Sequence, residues 1–398
     1  MRVPLLDLSE QYRLLAEPIR QELDEILRTQ SFILGPKVDE FERALAAYSG
    51  VKHAIGVSSG TDALLDILMA MGIGPNDAVV TTAYTFFATA GCVARLGATP
   101  IFVDIDPATF NISPGAIANF LENECRRDAA GALIDFHGRV VRAIIPVHLF
   151  GLCCEMNAIN EIAARFSLPV IEDAAQAIGA EYPARDGRTR QAGTMSAVGS
   201  LSFYPSKNLG AAGDAGAVIC DDDELAARLR IFRQHGMDPR YFHHVIGGNF
   251  RIDAIQAAIL RIKLPHLNGW SAARRAVADV YREKFTARGL TNEITLPAEP
   301  YRDRGLTNHH IYHQYVIRTP RRDELQKHLT ACGVGSAIYY PLGLHEQKCF
   351  ADLGYHAGDL PETEKAAQET LALPIYPELT REMQQTVVDA ISDFFAAK

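Results

Sequence analysis

Between residues 53 and 235, short apolar runs of strand length alternate with stretches of helical periodicity, and few folds accept that rhythm. The apolar runs lie at 53–57, 78–82, 100–103, 142–147, 169–172, 201–204 and 216–220. Helical spacing fills 61–71, 85–96, 155–166 and 224–235. Strands separated by helices in this order predict a mostly parallel, seven-stranded sheet covered on both faces. Such sheets bind ligands beyond the carboxyl ends of their strands. The residues just after each run therefore carry the functional interest: Ser59-Gly60-Thr61, Tyr84, His148, Asp173 and Lys207.

The flanks read differently. Residues 13–29, 37–48, 251–263 and 272–288 have helical spacing. After a loop-like stretch at 290–308 come a strand at 311–317, a helix at 322–332, a strand at 336–340 and a helix at 381–396. Residues 122–140 and 183–195 are polar and read as surface excursions. A chain of 398 residues exceeds what one core usually carries. The expected division is a large α/β domain over 1–267, N-terminal helices included, and a smaller α+β domain over 268–398.

Composition removes several classes of function. With 39 basic and 48 acidic side chains the net charge is −9, the wrong sign for a nucleic-acid binder. The seven cysteines show no C-x-x-C spacing and are expected to be reduced thiols, with no metal site. Met1-Arg2-Val3-Pro4 opens no apolar signal region, and no apolar run approaches the roughly 18 residues of a membrane span. The expectation is a cytoplasmic protein with no membrane or nucleic-acid partner.

Each candidate position has a plain reading beside a chemical one. Ser58-Ser59-Gly60-Thr61-Asp62 is a strand–turn–helix junction, either an ordinary N-cap or a phosphate cradle of free N–H groups. Asp173 caps the next helix or faces a cationic ligand nitrogen. Tyr84 is core or a flat ring for stacking. Lys207, in Ser206-Lys207-Asn208-Leu209-Gly210, is a surface cation, a phosphate contact or a nucleophilic amine. Asn249 and Arg251 lie in a glycine-rich loop of the kind that is usually structural. Together and in this order the residues match what pyridoxal phosphate requires. The helix end takes the phosphate, the aromatic stacks on the ring, the acid keeps the ring nitrogen protonated, and the lysine meets the carbonyl.

The chain resembles the DegT/DnrJ/EryC1/StrS group of sugar aminotransferases, fold-type I pyridoxal-phosphate enzymes. The likeness runs through Phe32-Ile33-Leu34-Gly35-Pro36, Tyr84-Thr85-Phe86-Phe87-Ala88-Thr89, Pro146-Val147-His148-Leu149-Phe150-Gly151, Glu172-Asp173-Ala174-Ala175-Gln176, Phe203-Tyr204-Pro205-Ser206-Lys207 and Asn249-Phe250-Arg251-Ile252-Asp253. It implies transfer of an amino group, from L-glutamate, to a nucleotide-linked 3- or 4-keto sugar. Lys207 is then the Schiff-base lysine and Asp173 the acid on the pyridine nitrogen, with Gln176 near the ring hydroxyl and Tyr84 stacking. Gly60, Thr61, Asp62 and Ser202 form the phosphate cradle. Asn249 reaches the phosphate of a neighbouring subunit, which implies a homodimer. Arg251, Tyr312, His313, Tyr340 and His345 face the substrate or support its pocket. Gly343 stands where relatives carry proline, implying a looser loop beside the substrate. The rival readings are a sugar lyase or dehydratase on the same scaffold, opposed by Lys207, and a regulator without catalysis.

Overall fold

The structure is a computed structural model and describes residues 1–397. Seven strands form its central sheet: β1 (His53–Val57), β2 (Asp77–Thr82), β3 (Thr99–Val103), β4 (Val140–Ile145), β5 (Ile171–Asp173), β6 (Val198–Ser202) and β7 (Gly216–Cys220). Their spatial order is β1-β7-β6-β5-β4-β2-β3. Regular ladders hold four strands on one side and three on the other. The bridges Ile144 to Val170 and Val147 to Asp173 join β4 to β5 across the middle. Only β7 runs against its neighbours. The other six strands are parallel and therefore end at the same edge, delivering Ser58, Ala83, Asp104, Pro146, Ala174 and Phe203 to it.

Side-chain alternation along these strands builds two cores. Ala78, Val80, Ala217 and Ile219 face one side, while Val79 and Val218 face the other. The first face is covered by α1 (Ser9–Thr29), α2 (Pro36–Ser49), α5 (Pro114–Asn123), α6 (Met156–Phe166) and α8 (Ala254–Lys263). The second face lies under α3 (Gly60–Ala70), α4 (Ala88–Arg95) and α7 (Asp223–Phe232). With both faces buried, the strands are almost wholly apolar, which is why the sequence shows them as continuous runs.

A separate core joins α9 (Leu267–Ala287), α10 (Arg322–Ala331), α12 (Arg381–Ala396) and an antiparallel pair, β8 (Tyr315–Arg318) with β9 (Thr370–Leu373). Val3, from the start of the chain, is buried in this core and bridges to Val334.

Local boundaries differ from the sequence expectations for identifiable reasons. The strand expected over 311–317 begins only at Tyr315, because residues 311–314 are pinned in an irregular turn described below. The strand expected over 336–340 reduces to one bridge, Ala337 to Ala372. Its partner β9 and the preceding α11 (Pro361–Glu369) are too short to give a period in the sequence. The polar excursions hold two hairpins, Cys125–Arg127 with Leu133–Asp135 and Glu181–Pro183 with Thr189–Gln191.

Candidate active site

The cleft begins where β1 hands over to α3. Ser59 caps the helix, its Oγ accepting the Asp62 N–H at 3.0 Å, and Ala63 N–H bonds the Ser59 carbonyl. The N–H groups of Gly60 and Thr61 precede the first intrahelical bond and stay free for an anion. Gly60 has to be glycine: a Cβ there would stand 2.6 Å from Ser202 Cβ at the end of β6. Gly216 is equally constrained, since its Cβ would lie 2.4 Å from the Ser59 carbonyl carbon. The turn is thus pressed against β6 and β7, and Gly60, Thr61 and Ser202 line one end of a cleft of about 520 Å³.

Across the cleft, β5 ends in two buried acids with separate duties. Glu172 accepts from His148 Nε2 (2.9 Å), the N–H groups of Gly193 (2.7 Å) and Met195 (2.6 Å), and Ser196 Oγ (2.8 Å). Both of its oxygens are occupied in holding that loop. Asp173 lines the cleft and accepts from Thr89 Oγ1 at 2.8 Å and from the Ala175 N–H at 3.1 Å. Burial raises the Asp173 pKa despite those bonds and the nearby Lys207 cation. Burial also pushes the Lys207 amine down to about 8, against the opposing pull of Asp173. Lys207 sits in a tight turn, its N–H on the Tyr204 carbonyl at 2.8 Å. A Cβ on Gly210 would reach the Pro205 oxygen at 2.2 Å, so the return of this turn also needs glycine.

Gln176 is held from both ends. Its Oε1 accepts the Phe150 N–H at 2.7 Å and its Nε2 donates to Tyr340 Oη at 3.1 Å. His313 and Tyr340 complete the expected residues that line the cleft. The other expected positions do not line this cleft. Tyr84 is fully buried, its hydroxyl donating to the Tyr339 carbonyl at 2.8 Å and lying 2.6 Å from Thr370 Oγ1. Phe86, two residues further on, lines the cleft instead and is 57% exposed. Asp62 faces the serines, taking Ser58 Oγ at 2.6 Å and Ser59 Oγ at 3.0 Å, and has no place in an anion cradle. Tyr312 is buried against Glu299, with Oη to Oε1 at 2.6 Å. His345 is buried with Nε2 3.4 Å from Glu364. Gly343 tightens this loop, since a Cβ on it would meet the His345 ring at 2.5 Å. Asn249 and Arg251 lie outside the cleft, in backbone bridges to Gln234 and Val57.

Sequence reading missed Thr89, Ser206, Gln314 and Tyr339. Thr89 had a signal, lying one turn beyond Thr85 in the same motif; the other three acquire their place only through packing.

The cleft has a polarity. One end offers helix N–H groups and Ser202, suited to a phosphate; the other a buried carboxyl, suited to a protonated ring nitrogen. The Lys207 amine, lowered by burial, lines the same cleft. These residues fit pyridoxal 5′-phosphate.

The model of the DegT/DnrJ/EryC1/StrS aminotransferase family matches residues 14–392. The chain belongs to this family. A protein of Geobacillus stearothermophilus named as a pleiotropic regulatory protein is 48% identical over 99% of both chains. The UDP-2-acetamido-2-deoxy-3-oxo-D-glucuronate aminotransferase of Pseudomonas aeruginosa is 38% identical, covering 95% of this chain and 96% of its own. Among solved structures, S. venezuelae DesV in complex with a ketimine intermediate superposes with a TM-score of 0.89 at 37% identity, over 100% of this chain and 99% of that one. The fold is that of the pyridoxal-phosphate aminotransferases, and the family's cofactor, pyridoxal 5′-phosphate, is this enzyme's cofactor.

Proposed function

We propose that this aminotransferase moves an amino group from L-glutamate to the C3 keto carbon of a nucleotide-linked sugar. The observation that carries the reading is the pairing of Lys207 and Asp173 in one cleft with the free N-terminus of α3. The sugar assignment is supported by the Pseudomonas relative, whose name states a nucleotide-linked 3-oxo sugar.

Bound pyridoxal phosphate supplies an electron sink for negative charge at the carbon next to the transferred nitrogen. The chain's own residues do the rest. Gly60 and Thr61 N–H groups and Ser202 hold the phosphate, using the partial positive charge of the helix end. Asp173 keeps a proton on the ring nitrogen, oriented by Thr89 and Ala175. Phe86, exposed on the cleft wall, would offer an aromatic face to the ring. Lys207 would hold the cofactor through its carbonyl carbon. Its freed amine would move a proton from the amine-bearing carbon of the donor to that cofactor carbon, and in the reverse direction from the cofactor carbon to the former keto carbon of the sugar. A lysine held near 8 suits both directions of that transfer.

The active unit is a homodimer in a cytoplasmic setting. Asn249 stands on a loop outside its own cleft, free to reach a second copy. The same loop exposes Tyr241, Phe242 and Ile246, the last to 90%, which a solitary subunit would leave in water. All seven cysteines are free, and no helix among the described residues is long and apolar enough to cross a membrane.

The regulator reading is supported by relatives' names alone, that of the Geobacillus protein and that of a sensory transduction protein of Saccharopolyspora erythraea. One experiment separates the two: purified protein with a panel of nucleotide-linked 3-keto and 4-keto sugars, glutamate and mass detection of the amino sugar. Lys207→Ala is expected to remove both the visible absorbance of bound cofactor and all turnover. Retained turnover in that variant would overturn the assignment.

A further inference from the structure

The irregular turn at 311–314 is fastened from four directions. Arg274, fully buried, donates from Nη1 to the Tyr312, His313 and Ile375 carbonyls at 3.0, 3.3 and 3.0 Å. Ile311 N–H bonds the Gly151 carbonyl at 3.0 Å, and Gln314 N–H bonds the Phe150 carbonyl at 3.3 Å. A Cβ on Gly151 would stand 2.9 Å from the His313 nitrogen, so the approach requires glycine. The fourth fastening is Asn208, the residue after the lysine. Its Nδ2 donates to the Ile311 carbonyl at 3.0 Å, and its Oδ1 lies 3.1 Å from His313 Nδ1.

The amide orientation is forced. Turned over, Asn208 would set its oxygen against the Ile311 carbonyl oxygen, two acceptors face to face. With Oδ1 toward the ring, His313 Nδ1 must carry the proton and donate it. Nε2 is then a bare lone pair on a ring that lines the cleft, and it has no hydrogen-bond partner among the described residues. The ring stays neutral, because it is buried and the charged groups that act on it, Lys207 and Arg274, are both cations.

We propose that Asn208 is a positioning residue that locks His313 as the Nδ1–H tautomer, presenting Nε2 as an acceptor for a hydroxyl of the acceptor sugar. This rests on the proposed sugar substrate for its ligand, while the tautomer stands on the geometry alone. It also ties the turn bearing Lys207 to the residue that reads the substrate, so the amine and the recognised hydroxyl share one frame. A neutral acceptor favours a hydroxyl and disfavours a carboxylate, which has no proton to give.

A neutron crystal structure of the protein reads the proton directly. A deuteron on Nδ1 with Nε2 bare is expected; a deuteron on Nε2 overturns the proposal whatever the enzyme's substrate proves to be. The two half-reactions, followed by cofactor absorbance, test the consequence. Asn208→Ala is expected to cut kcat/KM for the keto sugar about tenfold, while the half-reaction with the amino donor stays within about twofold. Asn208→Asp keeps the acceptor but adds a negative charge that favours the imidazolium. Its sugar half-reaction should therefore fall as pH is lowered and recover toward the native rate at high pH. Equal losses in both half-reactions, or a pH profile unchanged by Asn208→Asp, would overturn it. Should Asn208→Ala fail to fold, the Asn208→Asp profile and the proton position decide.

Discussion

Lys207 and Asp66 show how burial dominates ionisation. Lys207 is the useful case. Its amine is held near 8, so it is mostly charged below that pH and neutral above. Only the neutral amine attacks a carbonyl. The rate at which apoenzyme takes up pyridoxal phosphate into its visible-absorbing form should therefore climb about tenfold per pH unit below 8 and level off above. An inflection near 10.5, the ordinary lysine value, would show that the fold does not suppress this amine. Because Asp173 pulls the value upward, Asp173→Asn should move the inflection lower still.

Asp66 is a cost. It is fully buried on α3, and neither carboxylate oxygen has a hydrogen-bond partner among the described residues. Burial pushes it up to about 8, with Asp62 adding to the shift and Arg233 opposing it. Its folded value lies above its unfolded one, so the stability it allows is complete below pH 4 and drains away as pH rises toward 8. Asp66→Asn replaces the protonated acid with a neutral isostere. It should leave stability near pH 4 almost unchanged and raise it at pH 8 by on the order of a few kcal/mol. Urea midpoints at the two pH values test this, and an equal effect at both would contradict it.

At the scale of elements, the phosphate end depends on how closely α3 sits on β6. The helix supplies its free N–H groups only because Gly60 lets it rest on Ser202. Gly60→Ala should force the helix start away and weaken cofactor binding at least tenfold, measured by titrating apoenzyme. The clash is with a side-chain carbon, so Gly60→Ala with Ser202→Gly should recover the thermal stability lost in Gly60→Ala, though not the phosphate contact of the Ser202 hydroxyl. No recovery in the pair would mean that the helix start tolerates no Cβ at all. The turn at 311–314 obeys the same logic. Gly151, Arg274 and Asn208 hold it in a shape that an extended strand could not take, and so the strand expected from 311 begins late.

For the whole molecule, the two cores meet at the cleft. Asp173, Thr61 and Lys207 come from the strand ends of the central sheet, while His313, Gln314 and Tyr339 come from the side of the second core. The proposed homodimer would add a third contribution to each site, and complementation tests it. Lys207→Ala and Asn249→Ala should each bind or turn over poorly alone. Co-refolded in equal amounts, half of the dimers are mixed, and each mixed dimer holds one site with both lesions and one intact site. About a quarter of the native activity should return. If Asn249 serves its own subunit, none will.

Much of this was legible in the sequence because it is local. A buried parallel strand is a continuous apolar run, and its chain continues straight off the sheet edge, so Gly60, Asp173 and Lys207 were marked by position along the chain. Within such a stretch, direction is a different matter. Tyr84 and Phe86 are two residues apart, and only the tertiary structure decided which ring faces the cleft: Tyr339 and Thr370, about 250 and 290 residues away, draw the Tyr84 hydroxyl inward. Tyr312 and His313 are neighbours, yet Glu299 claims one and Asn208 the other. Strand order, the burial of Val3 in the second core and the tautomer of His313 likewise rest on pairings that the chain makes far from home. The sequence determined which chemistry was present and where along the chain it lay. Packing decided which side chains meet, since a side chain's direction follows the partner that satisfies it.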